Sequence, residues 1–291
     1  MRGNLYATCV SPSSSPRPRI NDQSLVRRMP GKVRRWLDRP GCRWILALGV
    51  SAVSLVVDRR PAWVRWDGAE WSYAGRGVTL LSNQLLRPRL FDDDLEIFLW
   101  DYCPSLGDVV IDVGAGTGTE SVVIAKAIGP DGRVIAVEAH PLTADVLKHA
   151  GSVNGLRNIT VVVAAVADGP GTLHISDSDN FGTNTVLDDG VHEVAAITID
   201  DLVKSLRLEH IDFLKMNIEG AERLAITGMS DTVKRIDRMA ISCHDFLGTE
   251  WGATRALVGS WLAEHDFEVS SRPEDARPWA RDYLYASRRR T

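Results

Sequence analysis

Apolar spacing divides the chain into three stretches of different character. Residues 1–30, with the run SPSSSPRPR, have no apolar periodicity, which predicts a segment unable to bury a core. They also lack the apolar centre of a signal peptide. Residues 44–57, WILALGVSAVSLVV, are apolar throughout, between Arg43 and the pair Arg59 and Arg60. A helix there reaches about 21 Å at ~1.5 Å per residue, short of the ~30 Å hydrocarbon core of a bilayer. The first expectation is a helix packed on the domain that follows. Peripheral contact with a membrane is the alternative, and a signal-anchor is the third reading, favoured if translation begins at Met29. Residues 61–103 hold an aromatic cluster (Trp63, Trp66, Trp71, Tyr73), a hairpin candidate YAGRGVTLL, and DDDLEIFLWDYC, a predicted helix with acids in its first turn.

From Asp108 onward strands and helices alternate. VVIDVGAG, RVIAVEAH, NITVVVAAVAD, IDFLKMNIEG and RMAISCHDF read as strands, and the stretches after most of them as helices of ordinary length. That order predicts an α/β fold, a Rossmann-like doubly wound and mostly parallel sheet. Two adjacent closing strands, FEVSSRP and DYLYASRR, predict an antiparallel hairpin at one edge. The expected organisation is a disordered basic extension (1–43), an apolar helix with a lid-like flank (44–103) and the α/β domain (104–291).

Composition changes this little. A chain of 291 residues, 44% hydrophobic and 25% charged, can bury a full-sized core, and a net charge of −4 gives no reason to expect a nucleic-acid partner. Four scattered cysteines (Cys9, Cys42, Cys103, Cys243) match no zinc or redox spacing and lead to an expectation of free thiols in a reducing cytoplasm. Membrane association through 44–57 is the alternative localisation.

The first strand-to-helix turn, IDVGAGTGTE, places Gly114, Gly116 and Gly118 where a ligand can approach a helix N-terminus. The spacing is not the dinucleotide fingerprint, and no Lys-Ser/Thr pair makes a phosphate-binding loop. Glu138 ends the second strand, 20 residues past Gly118, where a carboxylate can accept hydrogen bonds from two ribose hydroxyls. Together these point to a nucleoside cofactor, a nicotinamide or S-adenosylmethionine. Asp168 closes the third strand, either beside an adenine or as a turn cap. On the fourth strand, alternation puts Lys215, Asn217 and Glu219 on one face, which is unusual for a strand covered on both sides.

At these motifs the chain resembles the FkbM-type methyltransferases: IDVGAGTGTES, VIAVEAHP, NGLRNITVVVAAVAD, the TIDDL stretch near Asp200, and FLKMNIEGAE, over about Val64 to Leu262. The resemblance implies S-adenosylmethionine as cofactor, held by Asp112, Gly114, Ala115, Gly116, Gly118, Glu138, Ala139 and Asp168. It also implies methyl transfer to a hydroxyl of a small molecule, sugar or lipid-linked glycan. Two departures are present: Asn217 stands where the family commonly has aspartate, and the fifth strand reads SCHDF. Both remove negative charge, which weighs against a divalent-metal mechanism using Asn217, Glu219 and Asp245, and no metal is expected. For the chemistry, His244 is expected as general base with Asp245 orienting it, Lys215 to stabilise alkoxide charge, and Glu219 as a further catalytic group. Asn180 and Asn184, in the loop NFGTNTV, and Asn217 are expected substrate contacts, with Asp245. The competing functions are a catalytically silent scaffold of the same fold and an NAD(P)-dependent oxidoreductase.

Overall fold

The computed structural model describes residues 36, 37, 39–175 and 192–289. The stretch expected to be disordered (1–30) lies outside these residues, as does the loop with Asn180 and Asn184.

Helix α1 (Arg43–Val56) packs on a three-stranded antiparallel sheet of β1 (Trp63–Trp66), β2 (Trp71–Gly75) and β3 (Val78–Ser82). The hairpin expected in YAGRGVTLL is β2–β3. Helix α2 follows at Pro88–Phe98, earlier than the acidic run suggested, because Pro88 supplies the first helical position. The main domain then runs β4 (Val109–Val113), α3 (Thr119–Ile128), β5 (Arg133–Glu138), α4 (Pro141–Val153), β6 (Ile159–Val163), β7 (Ala165–Val166), β8 (Gly171–Ile175), β9 (His192–Ile197), α5 (Ile199–Ser205), β10 (Ile211–Met216), α6 (Glu222–Thr227), β11 (Ile236–Ser242), α7 (Arg255–Glu264), β12 (Phe267–Ser270), α8 (Pro278–Arg281) and β13 (Tyr283–Arg288).

Seven strands form the central sheet in the order β12-β13-β11-β10-β4-β5-β6. The five from β11 to β6 are parallel, and β12 and β13 form the expected antiparallel edge. Chain order reverses between β4 and β10, so a crevice opens there beyond the strand ends. Alternation along the strands builds the two faces: Ile111, Val113, Ile135 and Val137 join one apolar cluster, while Val110, Val134 and Ala136 join the other beneath α3. A third cluster ties α1 and the small sheet to the helices of the main domain, through Leu46, Val64 and Tyr73 against Val122, Val123 and Ala150.

Three expectations need correction. The third strand is not one strand: β6 pairs with β5, but the chain then leaves the central sheet and β7 joins β8 and β9 in a separate sheet. The alternation expected through Glu219 stops with β10 at Met216, because Glu219 and Gly220 take left-handed backbone (φ 54° and 99°). Cys103 is disulfide-bonded, whereas Cys42 and Cys243 are free; sequence spacing does not report which cysteines meet in space.

Candidate active site

The glycine turn after β4 is shaped by its neighbours. Gly114 has φ 74°, and a Cβ there would lie 2.0 Å from the Asn217 carbonyl oxygen. Only glycine lets the loops after β4 and β10 come this close. Gly116 (φ 56°) has nothing within 4 Å of its Cβ position, so its backbone is open to a ligand. Gly118 serves packing instead: its Cβ would meet Leu147 of α4 at 2.8 Å, and it is absent from the cavity lining.

Glu138 closes β5 and is half-buried. Its two oxygens accept hydrogen bonds from the Gly116 and His140 amides, each at 2.8 Å, which fixes the carboxylate against the glycine loop. Burial raises its pKa, and these two donors work against the rise.

Asp112 and Lys215 are register partners on adjacent strands and form a buried ion pair at 3.0 Å. Asp112 also accepts the Ser121 hydroxyl at 2.6 Å. Lys215 Nζ donates to the Gly114 carbonyl at 2.7 Å and lies 4.6 Å from the Phe98 ring centre. Burial alone would lower its pKa, but Asp112, Glu120 and Glu138 hold it above the ordinary value. Lys215 reaches the cavity lining but its ammonium is engaged by Asp112 and the Gly114 carbonyl, so it braces the glycine turn, and Asp112 lies beneath the cavity rather than on its wall.

His244 follows β11, nearly fully buried between two carboxylates. Nε2 lies 3.5 Å from Glu219 Oε1, and Nδ1 lies 3.1 Å from Glu222 Oε1 without hydrogen-bond alignment. Burial would lower its pKa, but the two glutamates outweigh it and push the imidazole up to about 9. Glu222 is buried too, and its oxygens accept the Ile218 amide (3.1 Å) and the Thr254 hydroxyl (3.4 Å). The expectation that Asp245 orients His244 is not met. Asp245 accepts the Thr254 and Arg255 amides at 3.1 and 2.9 Å at the start of α7, and it lines a different depression.

These groups surround one cavity of about 520 Å³ at the carboxyl ends of β4, β5, β10 and β11. One end is walled by Gly114, Ala115, Gly116, Glu138 and Ala139, with Ala164, Ala165 and Val166 from the point where the chain leaves the central sheet. The other end holds Asn217, Glu219 and His244, with Phe246 beside the imidazole. Asp168 is exposed and outside the lining, carried away by the turn into β7. Asn184 lies outside the described residues. The carboxylate, open loop backbone and small apolar wall at the first end suit a nucleoside: an acceptor for vicinal hydroxyls beside a slot for a flat base.

Glu120 was not foreseen. It is buried on the lining, in the first turn of α3, where desolvation pushes its carboxyl up to about 7 despite Lys215 nearby. Its place immediately after the glycine motif was the available signal, since a first-turn side chain there sits beside anything the loop holds. Glu222 is likewise absent from the expected site residues.

Among the described residues, the groups spaced to hold a metal are His210, Asp212 and Asp237, away from this cavity.

Residues 112–270, more than half of the chain, match the family model described as methyltransferase FkbM domain. A protein-L-isoaspartate O-methyltransferase of Aeropyrum pernix is 41% identical over 66 residues, covering 23% of this chain and 25% of that protein. Among solved structures, the FkbM methyltransferase of Methylobacillus flagellatus superposes with a TM-score of 0.44 at 20% identity, covering 62% of this chain and 43% of that one. An S-adenosylmethionine-dependent O-methyltransferase of Thermotoga maritima gives a TM-score of 0.40 at 18% identity, with 72% and 69% covered. The chain spans about a quarter of the length of the curated relatives it matches first.

Proposed function

The chain belongs to the FkbM methyltransferase family, and from that premise we propose that it transfers a methyl group from S-adenosylmethionine to a hydroxyl of a small molecule, sugar or lipid-linked glycan. The observation that carries this reading is the single cavity with a ribose-type carboxylate at one end and a buried imidazole between carboxylates at the other. When bound, the cofactor supplies a methyl group on a positively charged sulfur, open to in-line displacement.

The chain's own residues then have separable tasks. Glu138 accepts the ribose hydroxyls on the lone pairs left by its two amide donors. Ala139, Ala164 and Ala165 form the slot for the base. The Gly114–Gly116 backbone, braced by Lys215, lets the cofactor lie close against the turn. Asn217 and Phe246 bound the acceptor's side of the cavity and help align its oxygen, the main requirement of such a displacement. His244 takes the acceptor's proton, and Glu219 stabilises the imidazolium that results. Methyl transfer to oxygen, with the sulfur–methyl bond broken, leaves a methyl ether, S-adenosylhomocysteine and a proton on the protein.

Calorimetric titration of the full chain with S-adenosylhomocysteine tests the cofactor half. Glu138→Ala is expected to weaken binding by roughly 10–100-fold, the scale of lost hydrogen bonds to a charged group. Incubation with methyl-labelled cofactor and a panel of sugars, polyols and lipid-linked saccharides tests the rest, a labelled methyl ether being the expected product. Absence of cofactor binding, or label found on nitrogen or carbon, overturns the proposal.

A further inference from the structure

Helix α1 is apolar on both faces. Leu46, Ala47, Val50 and Ser54 turn inward on the small sheet, where Ser51 Oγ accepts the Val64 amide at 2.9 Å. Trp44, Leu48, Leu55 and Val56 recur at helical spacing on the opposite face and are 59, 48, 59 and 72% exposed. No charged residue occurs between Arg43 and Asp58. A solvated helix keeps polar residues on its outer face, so an exposed stripe of this kind marks a contact surface.

The charges around the stripe say what it fits. Exposed arginines bracket it, with Arg39 before the helix, Arg59 after it and Arg65 on β1. The neighbouring acids Asp58 and Asp92 are paired with Arg87 and with Arg60 and Arg76. Trp36 and Trp63, both about half exposed, add the residue type favoured at a bilayer's polar boundary. No helix among the described residues is long and apolar enough to cross a membrane.

We infer that the outer face of α1 docks in the plane of an anionic lipid bilayer, with Trp44, Leu48 and Leu55 entering the acyl boundary and the arginines meeting acidic headgroups.

The test is co-sedimentation of the full chain with phosphatidylcholine vesicles containing either no phosphatidylserine or roughly a third of it. Binding is expected on the anionic vesicles and should weaken with salt. The variant Trp44→Ser/Leu48→Ser/Leu55→Ser changes only exposed side chains, so it should keep its melting temperature and S-adenosylhomocysteine affinity while its vesicle partition falls at least about tenfold. Arg39→Glu/Arg59→Glu should lower anionic binding by a comparable factor without affecting the fold. Failure of the parent chain to bind overturns the inference, as does a triple variant that binds undiminished, since the contact would then lie elsewhere. A triple variant that turns a dimer into a monomer with vesicle binding unchanged also overturns it, and makes a second copy the occupant.

Discussion

His244 and Glu120 shift the protein's pH behaviour in the same direction from opposite charge states. The folded pKa of His244 lies near 9, above its ordinary 6.5, so its contribution to stability is complete below about 6.5 and is lost as pH rises through about 9. Glu120 is raised from 4.5 to about 7 because the fold favours its neutral form, so its penalty is absent below about 4.5 and complete above about 7. Unfolding free energy from urea titration should therefore fall in two windows as pH rises. Glu120→Gln should flatten the lower window and His244→Gln the upper one, each by on the order of 3 kcal/mol. Catalysis reads the same groups. With His244 as base, kcat/KM should climb with a midpoint near 9; a midpoint near 7 that vanishes in Glu120→Gln would assign the proton to Glu120. At this scale the sequence revealed what is local. The glycine turn and Glu138 act through backbone geometry and strand position, which spacing encodes. Glu222 and Asp245 could not be assigned that way: each bonds Thr254, just before α7, and so depends on how α7 packs.

Strands and turns carry the next level, and the pair between β4 and β10 shows how. Asp112 and Lys215 face the same side because parallel register makes them neighbours, and Lys215 then reaches the carbonyl of Gly114. Lys215→Met leaves the Asp112 charge buried without its cation, at a cost of about 3–5 kcal/mol. Replacing both, as Lys215→Met/Asp112→Leu, should recover much of that loss in chemical denaturation while leaving cofactor affinity reduced, since the glycine turn still lacks its brace. A double variant no more stable than the single one would show that the pair is not what holds this part of the sheet. The same level explains which elements were legible. The alternation of strands and helices and the edge hairpin followed from apolar runs separated by helices. The split of the third strand did not, because Val163, Ala164 and Ala165 form one apolar run and only pairing partners separate them into two sheets. Asp168 was misplaced for that reason, while Ala164 and Ala165 became cavity wall.

At the scale of the whole molecule, α1 and the small sheet share one apolar core with the catalytic domain. Leu46 and Ala47 pack in the cluster that includes Val122 and Val123 of α3, Asp58 pairs with Arg87, and Arg60 reaches Asp92 on α2 at 2.6 Å. The small sheet in turn leads from Ser82 directly into the cavity wall. A chain beginning at Pro61 would expose Val64 and its neighbours and remove Asp58, which pairs with Arg87. Such a truncation is expected to lose solubility or to melt well below the full chain, with cofactor affinity falling alongside. Leu46→Ala isolates the packing contribution without cutting the chain: removing a nearly fully buried leucine should cost about 2–4 kcal/mol. If the two parts are one cooperative unit, that loss will appear in a single unfolding transition seen equally by tryptophan fluorescence and by far-ultraviolet circular dichroism. Two separated transitions, with only the earlier one moved by Leu46→Ala, would instead make the N-terminal part an independently melting module rather than part of one core.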